Sequence, residues 1–131
     1  DVTRLSVEEK EQVREQIQFY KKYRSLFQYG DFYRINSPFS CDSASWQVVS
    51  KNKCQSILLY AQLNSKLNPG YTRVYFSGLD KDKCYSVSGF DEFFYGDELM
   101  NAGIKVSLSN LALCVPEYLT KLFVIEEVVC K

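Results

Sequence analysis

The sequence predicts a mostly β domain, an antiparallel Greek-key β-sandwich of about seven or eight strands preceded by one long N-terminal α-helix. Three observations predict this fold. The first 30 residues repeat their apolar side chains with a helical period. After Gly30 the period changes to two, because apolar and polar residues alternate in several short segments. Turn sequences rich in Gly, Pro, Asn and Asp separate those segments.

The helix is predicted from Ser6 to about Gln28. Ser6-Val7-Glu8-Glu9 has the form of a capping box, in which the Ser6 and Glu9 side chains each accept a hydrogen bond from the other residue's amide. Large apolar side chains form a broad face along this helix: Val13, Ile17, Tyr20 and Phe27, extended by Phe19, Tyr23 and Leu26. A face this apolar must pack on another surface. Gly30 is predicted to end the helix with a positive φ.

The alternation predicts the strands in order. Residues 46–50 and 55–63 form a hairpin around the polar turn Lys51-Asn52-Lys53. Further strands are predicted at residues 71–76, 84–88, 104–109 and 122–128. Asn68-Pro69-Gly70 and Gly78-Leu79-Asp80 are predicted turns. Residues 96–103 interrupt the alternation and form either one helical turn or a wide loop.

Composition excludes several classes of partner. Sixteen basic and sixteen acidic residues cancel, so no basic stripe supports nucleic-acid binding. No apolar run approaches the roughly 18 residues of a membrane span, so no membrane partner is expected. The polar beginning, Asp1-Val2-Thr3-Arg4, contains no signal peptide. We therefore expect a cytoplasmic protein.

The cysteines do not have the spacing of a metal site. Cys41, Cys54, Cys84, Cys114 and Cys130 are far apart, and the chain contains no His. A zinc site usually needs paired cysteines or His, and a Ser–His–Asp or Cys–His device needs a His. We expect five reduced thiols and no metal or cofactor.

Acidic residues do not form a plausible catalytic pair. Asp97-Glu98 and Glu126-Glu127 are adjacent couplets, and neighbours on a strand point to opposite faces. The run from Asp80 to Asp82 with Asp91 nearby lacks the further oxygens, central Gly and terminal Glu of an EF-hand calcium loop. We expect both sets to be structural or solvent-exposed.

Aromatic residues leave two readings open. Trp46, the only Trp, could form a sugar-stacking surface with four other rings: Tyr33, Tyr60, Tyr75 and Phe76. Because rings in a β-sandwich more often pack in its core, we expect core or interdomain packing for Trp46. Phe93-Phe94-Tyr95 is a run of rings in a predicted loop.

Four blocks, in order along the chain, resemble the C-terminal domain of family 36 glycoside hydrolases, the microbial α-galactosidases. The blocks are residues 19–39, with Tyr29-Gly30-Asp31-Phe32-Tyr33; residues 46–50 with their hairpin; residues 68–85, with Gly78-Leu79-Asp80 and Lys83-Cys84-Tyr85; and residues 95–103 followed by 122–128. Each block is weak alone, and together they cover nearly the whole chain. Prolines typical of the family are absent around Pro69-Gly70 and Leu79-Asp80.

The resemblance implies a parent enzyme with a catalytic (β/α)₈ barrel that hydrolyses terminal α-galactosyl groups of melibiose- and raffinose-type sugars with retention. Residues 1–30 would be the last barrel helix and linker, and residues 31–131 the β-sandwich. The catalytic Asp pair would lie on the barrel, so no catalytic, cofactor-binding or metal-binding residue is expected here, and this chain alone should be inactive. Its partners would be the barrel, contacted by the rings at residues 93–95, and through the parent a galacto-oligosaccharide. We expect the natural polypeptide to extend upstream and the parent to be a homo-oligomer.

Two other functions stay open from the residues alone. A carbohydrate-binding module would use Trp46 and its neighbouring rings. A protein-interaction module would use the apolar face of the helix to recruit another protein.

Overall fold

A computed structural model describes residues 6–64, 72–106 and 119–129. Its secondary structure follows the chain in ten elements. These are α1 (Val7–Tyr29), β1 (Asp31–Asn36), β2 (Ser43–Val49), β3 (Gln55–Gln62), β4 (Thr72–Val74), β5 (Cys84–Val87), β6 (Phe93–Tyr95), α2 (Gly96–Asn101), β7 (Ile104–Val106) and β8 (Leu119–Val128). The long helix followed by short antiparallel strands confirms the predicted fold class.

The strands form two antiparallel sheets. The larger sheet has six strands in the order β1-β2-β3-β8-β5-β6, and the smaller pairs β4 with β7. β8 therefore returns from the end of the chain to lie between β3 and β5. The predicted hairpin is confirmed, with Ser43 to Val49 paired in register against Gln62 to Ser56.

The main core lies between the two sheets. Its buried side chains come from the inner face of the large sheet, from the small sheet and from α2 and the turn before β5: Val49, Leu58, Tyr60, Val74, Phe76, Leu79, Tyr85, Val87, Leu99, Ile104, Val106, Phe123 and Ile125. Side chains alternate across a strand, so the opposite, outer face of the large sheet is left for α1. The described residues therefore form three layers: α1, the six-stranded sheet and the two-stranded sheet.

α1 begins and ends with specific contacts. The capping box is confirmed, since the Ser6 amide donates to Glu9 Oε2 at 2.8 Å and the Glu9 amide donates to Ser6 Oγ at 3.2 Å. The prediction for Gly30 is wrong in its mechanism. Gly30 has φ −70° and ψ 164°, an extended conformation that any residue adopts. A Cβ there would meet Leu26 O at 2.5 Å and Val48 Cγ1 at 2.6 Å, so crowding, and not backbone handedness, requires glycine.

Residues 93–95 differ from the predicted loop, and the segment that follows them, residues 96–101, adopts one of its two predicted conformations. Residues 93–95 form strand β6, not a loop, because Phe93 to Tyr95 pair with Ser86 to Cys84 of β5. Residues 96–101 form the short helix α2, the first of the two readings offered above. The expected turn at residues 68–70 and the end of the expected strand at 104–109 lie outside the described residues. Across the described part of the chain, no helix is long and apolar enough to cross a membrane.

Candidate functional site

α1 is attached to the outer face of the large sheet by one of its two apolar flanks. Tyr23 and Leu26, each 5% exposed, pack with Ile57 of β3. The half-buried side chains that join them are Phe19, Val48 and Val124. The Tyr23 hydroxyl donates to Glu126 Oε1 at 3.1 Å, and the Lys22 ammonium lies 4.8 Å from the centroid of the Tyr23 ring. This flank anchors the helix to the chain's own sheet.

The second apolar flank of α1 faces away from the sheet. Ile17, Tyr20 and Phe27 are all exposed, with Phe27 at 38%. Tyr20 and Phe27 stack on each other, with ring centroids 5.9 Å apart and planes 11° apart. The sequence predicts one broad apolar face, and the structure divides it into a buried half and an exposed half. We name the exposed half, Ile17, Tyr20 and Phe27, the helix stripe.

The outer face of the large sheet carries further exposed apolar side chains. Phe32 pairs with Val48 and Trp46 pairs with Leu59, and directly paired residues share a face. Because Val48 packs under α1, the Phe32 and Trp46 rings lie on the same side of the sheet as the helix. Trp46 is 39% exposed, so core packing, the first of the two roles expected for it, is wrong, and interdomain packing stays a prediction. Leu122, which also pairs with Leu59, is exposed on the same face.

The five rings proposed as a sugar-stacking surface do not come together. Tyr60 and Phe76 are buried in the main core and Tyr33 packs against it, whereas Trp46 lies on the opposite face. Trp46 instead contributes with Phe32, Arg34 and Phe39 to a shallow cavity of about 280 Å³. Tyr75 is exposed and does not line that cavity.

The rings of β6 divide between the two faces of the sheet. Phe94 packs against the main core and makes an edge-to-face contact with Phe90, with centroids 5.9 Å apart. Phe93 and Tyr95 are exposed. They are paired with Ser86 and Cys84, and Ser86 is itself paired with Glu126, which contacts α1. The exposed rings of β6 therefore belong to the same outer face as the helix.

The acidic couplets do not assemble a catalytic pair. Glu126 accepts a hydrogen bond from Tyr23 on the outer face, whereas Glu127 accepts one from Lys83 Nζ at 3.1 Å. In α2, Asp97 Oδ1 accepts a hydrogen bond from the Glu98 amide. Asp80 Oδ1 accepts from the Asp82 amide, as in a tight turn. Within residues 6–64, 72–106 and 119–129, no three acidic or cysteine side chains are grouped to hold a metal ion.

A polar cluster lies at the end of the sheet beside the β2–β3 turn. Lys83 Nζ donates to Asn52 O, Cys54 Sγ and Glu127 Oε2 at 3.1, 3.3 and 3.1 Å. The hydrogen bond to Glu127, followed by that to Cys54, raises the pKa of Lys83. The hydrogen bond from the Cys54 thiol, followed by that from Lys83, lowers the pKa of Glu127. We name Cys54, Lys83 and Glu127 the Cys54 cluster.

Tyr85 connects the same turn to the loop before β5. Its hydroxyl donates to Lys53 O at 2.8 Å and accepts from the Asp80 amide at 3.1 Å. Burial raises the pKa of this phenol. Sequence reasoning missed both Tyr85 and the Cys54 cluster, because their members are brought together only by strand pairing and no motif links them.

A cleft of about 730 Å³ opens between the end of α1 and the β2–β3 turn. Its lining combines Leu26 and Tyr29 of the helix with polar side chains from both walls: Lys22, Lys51, Asn52, Glu126 and Glu127. The Cys54 thiol is at its border.

The cysteines differ from the expectation of five reduced thiols. Cys84 is disulfide-bonded. Cys41 and Cys54 are free thiols, the former exposed and the latter half-buried. Cys114 and Cys130 lie outside the described residues.

Known proteins of similar sequence are α-galactosidases. Alpha-galactosidase AgaA from Geobacillus stearothermophilus is 36% identical over 104 residues, which is 79% of this chain and 14% of that protein. This chain thus spans about one-seventh of that relative's length.

Solved structures of the same kind superpose on nearly the entire chain. The α-galactosidase from Lactobacillus brevis has a TM-score of 0.90 and 40% identity, covering 100% of this chain and 18% of that one. A variant of AgaA from Geobacillus stearothermophilus in complex with raffinose has a TM-score of 0.87 and 29% identity, covering 98% of this chain and 17% of that one.

The sequence also matches a family model over residues 43–125, more than half of the chain, and that model describes the glycosyl hydrolase family 36 C-terminal domain. The match takes in β2 to β7 and most of β8, including both strands of the predicted hairpin. This chain therefore belongs to the family of glycosyl hydrolase family 36 C-terminal domains.

Proposed function

We propose that this chain is the non-catalytic C-terminal β-domain of a retaining α-galactosidase, and that it packs on and stabilises the enzyme's catalytic barrel. The helix stripe carries this proposal. Ile17, Tyr20 and Phe27 are exposed although the rest of α1 is already anchored by Tyr23 and Leu26. An exposed apolar surface of this kind indicates contact with another domain or protein.

The covering body in this proposal is the catalytic barrel of the same polypeptide. Residues 1–30 are its last helix and linker, and residues 31–131 are the β-sandwich. The relatives support this arrangement because each is several times longer than this chain. Phe93 and Tyr95, on the same outer face as α1, extend the proposed contact.

The parent in this proposal hydrolyses terminal α-galactosyl groups of raffinose- and melibiose-type sugars. The raffinose complex of the AgaA variant supports this substrate class. A retaining mechanism needs two carboxyl groups about 5–5.5 Å apart. Glu126 accepts a hydrogen bond from Tyr23, and Glu127 accepts one from Lys83 on the other side of β8. This separation supports placing the catalytic pair outside this chain. The parent is also proposed to be a homo-oligomer.

The stabilising role is tested in the full-length enzyme that contains this chain together with its catalytic barrel. Replacing the helix stripe with Ser at Ile17, Tyr20 and Phe27 removes apolar area that the barrel would cover, worth about 1–2 kcal/mol per side chain. We expect a lower melting temperature for the whole enzyme with an unchanged KM for raffinose. Lys21→Ser, an exposed polar position of the same helix, is the matched control. A melting temperature equal to that of the control would refute the proposal.

The absence of catalysis is tested separately. Purified chain, free of host enzyme, is incubated with a chromogenic α-galactoside. We expect no turnover above the buffer rate, and turnover at ordinary enzymatic rates would show that the catalytic groups lie on this chain.

A cytoplasmic location is also proposed. Disulfides are rare in reducing compartments, and Cys84 is disulfide-bonded in the fold. Alkylation of the protein in intact cells decides whether Cys84 is reduced, as in the cytoplasm, or disulfide-bonded, as in an oxidising compartment. Cys84 that reacts with the alkylating reagent supports the cytoplasm, and Cys84 that stays blocked until a reductant is added overturns it.

A further inference from the structure

The Cys54 cluster brings a nucleophilic thiol against an amine. Lys83 Nζ donates to Cys54 Sγ at 3.3 Å. Its other two contacts, to Asn52 O and Glu127 Oε2, complete the three donors of an ammonium group. Two parts of the fold, the β2–β3 turn and β8, therefore hold Lys83 Nζ against the sulfur.

Cys54 is within reach of solvent and has an amine beside its sulfur. The thiol is half-buried and borders the cleft of about 730 Å³, so a small oxidant can reach it. Cys41, the other free thiol of the described residues, is exposed, and its sulfur lies 3.8 Å from the neutral Ser40 Oγ.

We propose that Cys54 and Lys83 form a covalent sulfur–nitrogen crosslink when Cys54 is oxidised by a peroxide. Hydrogen peroxide first converts the thiol to a sulfenic acid, as its O–O bond breaks, one oxygen joins sulfur and the other leaves in water. Sulfenic acids condense with backbone nitrogen to sulfenamides, and a neutral amine is a stronger nucleophile than an amide nitrogen. In alkaline solution hydroxide removes one proton from Lys83 Nζ, and the neutral amine attacks the sulfur. The N–S bond forms, the S–O bond breaks, and the departing hydroxide takes a second amine proton to make water.

The crosslink would lock one end of the sheet. Cys54 precedes β3 and Lys83 precedes β5, and β8 lies between those strands. Tyr85 already connects the same turn to the segment before β5 through Lys53 and Asp80. A covalent bond between Cys54 and Lys83 would fix the β2–β3 turn, which lines the cleft opposite the end of α1. The crosslink involves only residues of this chain and does not depend on the proposed glycosidase role.

The experiment treats the polypeptide that carries this chain with hydrogen peroxide at about pH 9, which raises the fraction of neutral amine. Tryptic digestion without reductant is followed by mass spectrometry. We expect the Cys54 peptide joined to the Lys83 peptide with a net loss of two hydrogens. Trypsin should fail to cleave after Lys83, because its amine is no longer charged. A reductant should restore both peptides.

Several controls make the result decisive. Lys83→Arg and Cys54→Ser should each abolish the crosslink, whereas Lys51→Arg, at a lysine of the β2–β3 turn that carries Cys54, should leave it unchanged. Circular dichroism checks that each variant is folded. Cys41 should yield oxygenated products without a crosslink. Disulfide exchange between Cys54 and Cys84 would leave cleavage after Lys83 intact and would persist in Lys83→Arg. That result, or Cys54 oxidised to sulfinic acid without any crosslink, would overturn the proposal.

Discussion

The Tyr23 hydroxyl of α1 donates a hydrogen bond to Glu126 Oε1 of β8, 3.1 Å away and 103 positions along the chain. The contact lies beside the small apolar cluster of Tyr23, Leu26 and Ile57. It joins the first element of the fold to the last. α1 is therefore seated on the sheet by both apolar packing and a directed polar contact.

Tyr23→Phe should weaken the attachment of α1 to the sheet without creating a cavity. The change removes the hydroxyl and leaves the part-buried Glu126 carboxylate with one hydrogen bond fewer. We expect a loss of about 1 kcal/mol in the free energy of unfolding, within the usual range for one hydrogen bond. Urea denaturation followed by circular dichroism measures it. A variant as stable as the unsubstituted chain would show that this hydrogen bond makes no net contribution to the free energy of unfolding.

Leu26 and Phe27 offer a matched pair of neighbouring apolar residues. Leu26 is 5% exposed against the sheet and Phe27 belongs to the helix stripe. We expect Leu26→Ala to cost about 2–3 kcal/mol, because it leaves a cavity under the helix. Phe27→Ala should cost much less in this chain, since its ring loses mainly the stacking with Tyr20.

The same pair should behave differently when self-association is measured. An uncovered apolar stripe promotes association, so Phe27→Ala should lower the apparent mass of this chain in sedimentation velocity at high concentration. Leu26→Ala should not lower it. Equal effects of the two variants on both measurements would contradict the division of α1 into a seated and an exposed flank.

Gly30→Ala tests crowding where the backbone conformation is ordinary. A Cβ at residue 30 would lie 2.5 Å from Leu26 O and 2.9 Å from Val49 O, so the end of α1 must move away from β2. We expect a destabilisation of about 1–3 kcal/mol, as for other overpacked sites. Thermal unfolding measures it.

Gly89→Ala is the control for that substitution. Gly89 has φ 87° and nothing within 4 Å of an added Cβ. Its cost should therefore be the strain of the left-handed backbone alone, about 1–2 kcal/mol. If Gly30→Ala were neutral, the close approach of α1 to β2 would not be rigid.

Acidification should loosen the first turn of α1. The hydrogen bond from the Ser6 amide holds the pKa of Glu9 below its ordinary value. A carboxyl group whose pKa is lower in the folded state stabilises that state above its unfolded pKa, and loses this contribution as pH falls through the folded pKa. We expect exchange of the Ser6 amide hydrogen, followed by NMR, to accelerate beyond its intrinsic rate change below about pH 4.5.

Glu9→Gln is the matched variant for this pH dependence. Gln keeps the capping-box hydrogen bond but does not titrate. Protection of the Ser6 amide should then stay constant through the same pH range. Equal pH dependence in the two proteins would mean that the capping box does not sense pH through Glu9.

Local features were predictable because the groups that decide them are close in sequence. The capping box joins Ser6 to Glu9 three residues away, and the β2–β3 hairpin joins neighbouring segments. The change from a helical period to a period of two likewise predicted one helix followed by antiparallel strands. Alternation along a strand predicted that Glu126 and Glu127 point to opposite faces, and they have different partners, whereas Asp97 and Glu98 lie in α2, where that argument does not apply.

The alternation of β2 predicted two sets of side chains but not which set is buried. Gln47 lies inward because its amide donates to Ser56 Oγ and its carbonyl accepts from the Ser77 amide, both at 2.7 Å. These partners satisfy a polar group that would otherwise be costly to bury. Trp46, the next residue, is consequently turned to the outer face.

The amino-acid sequence by itself determined the fold class, the start of α1, the hairpin and the family, because periodicity, capping and ordered motifs are written within short stretches of chain. Only the tertiary structure decided which flank of α1 is covered, why residue 30 must be Gly, that residues 93–95 form an edge strand, and that Lys83 touches Cys54. Each of these depends on how strands distant in sequence pair, since pairing sets which side chains share a face and how closely two backbones approach.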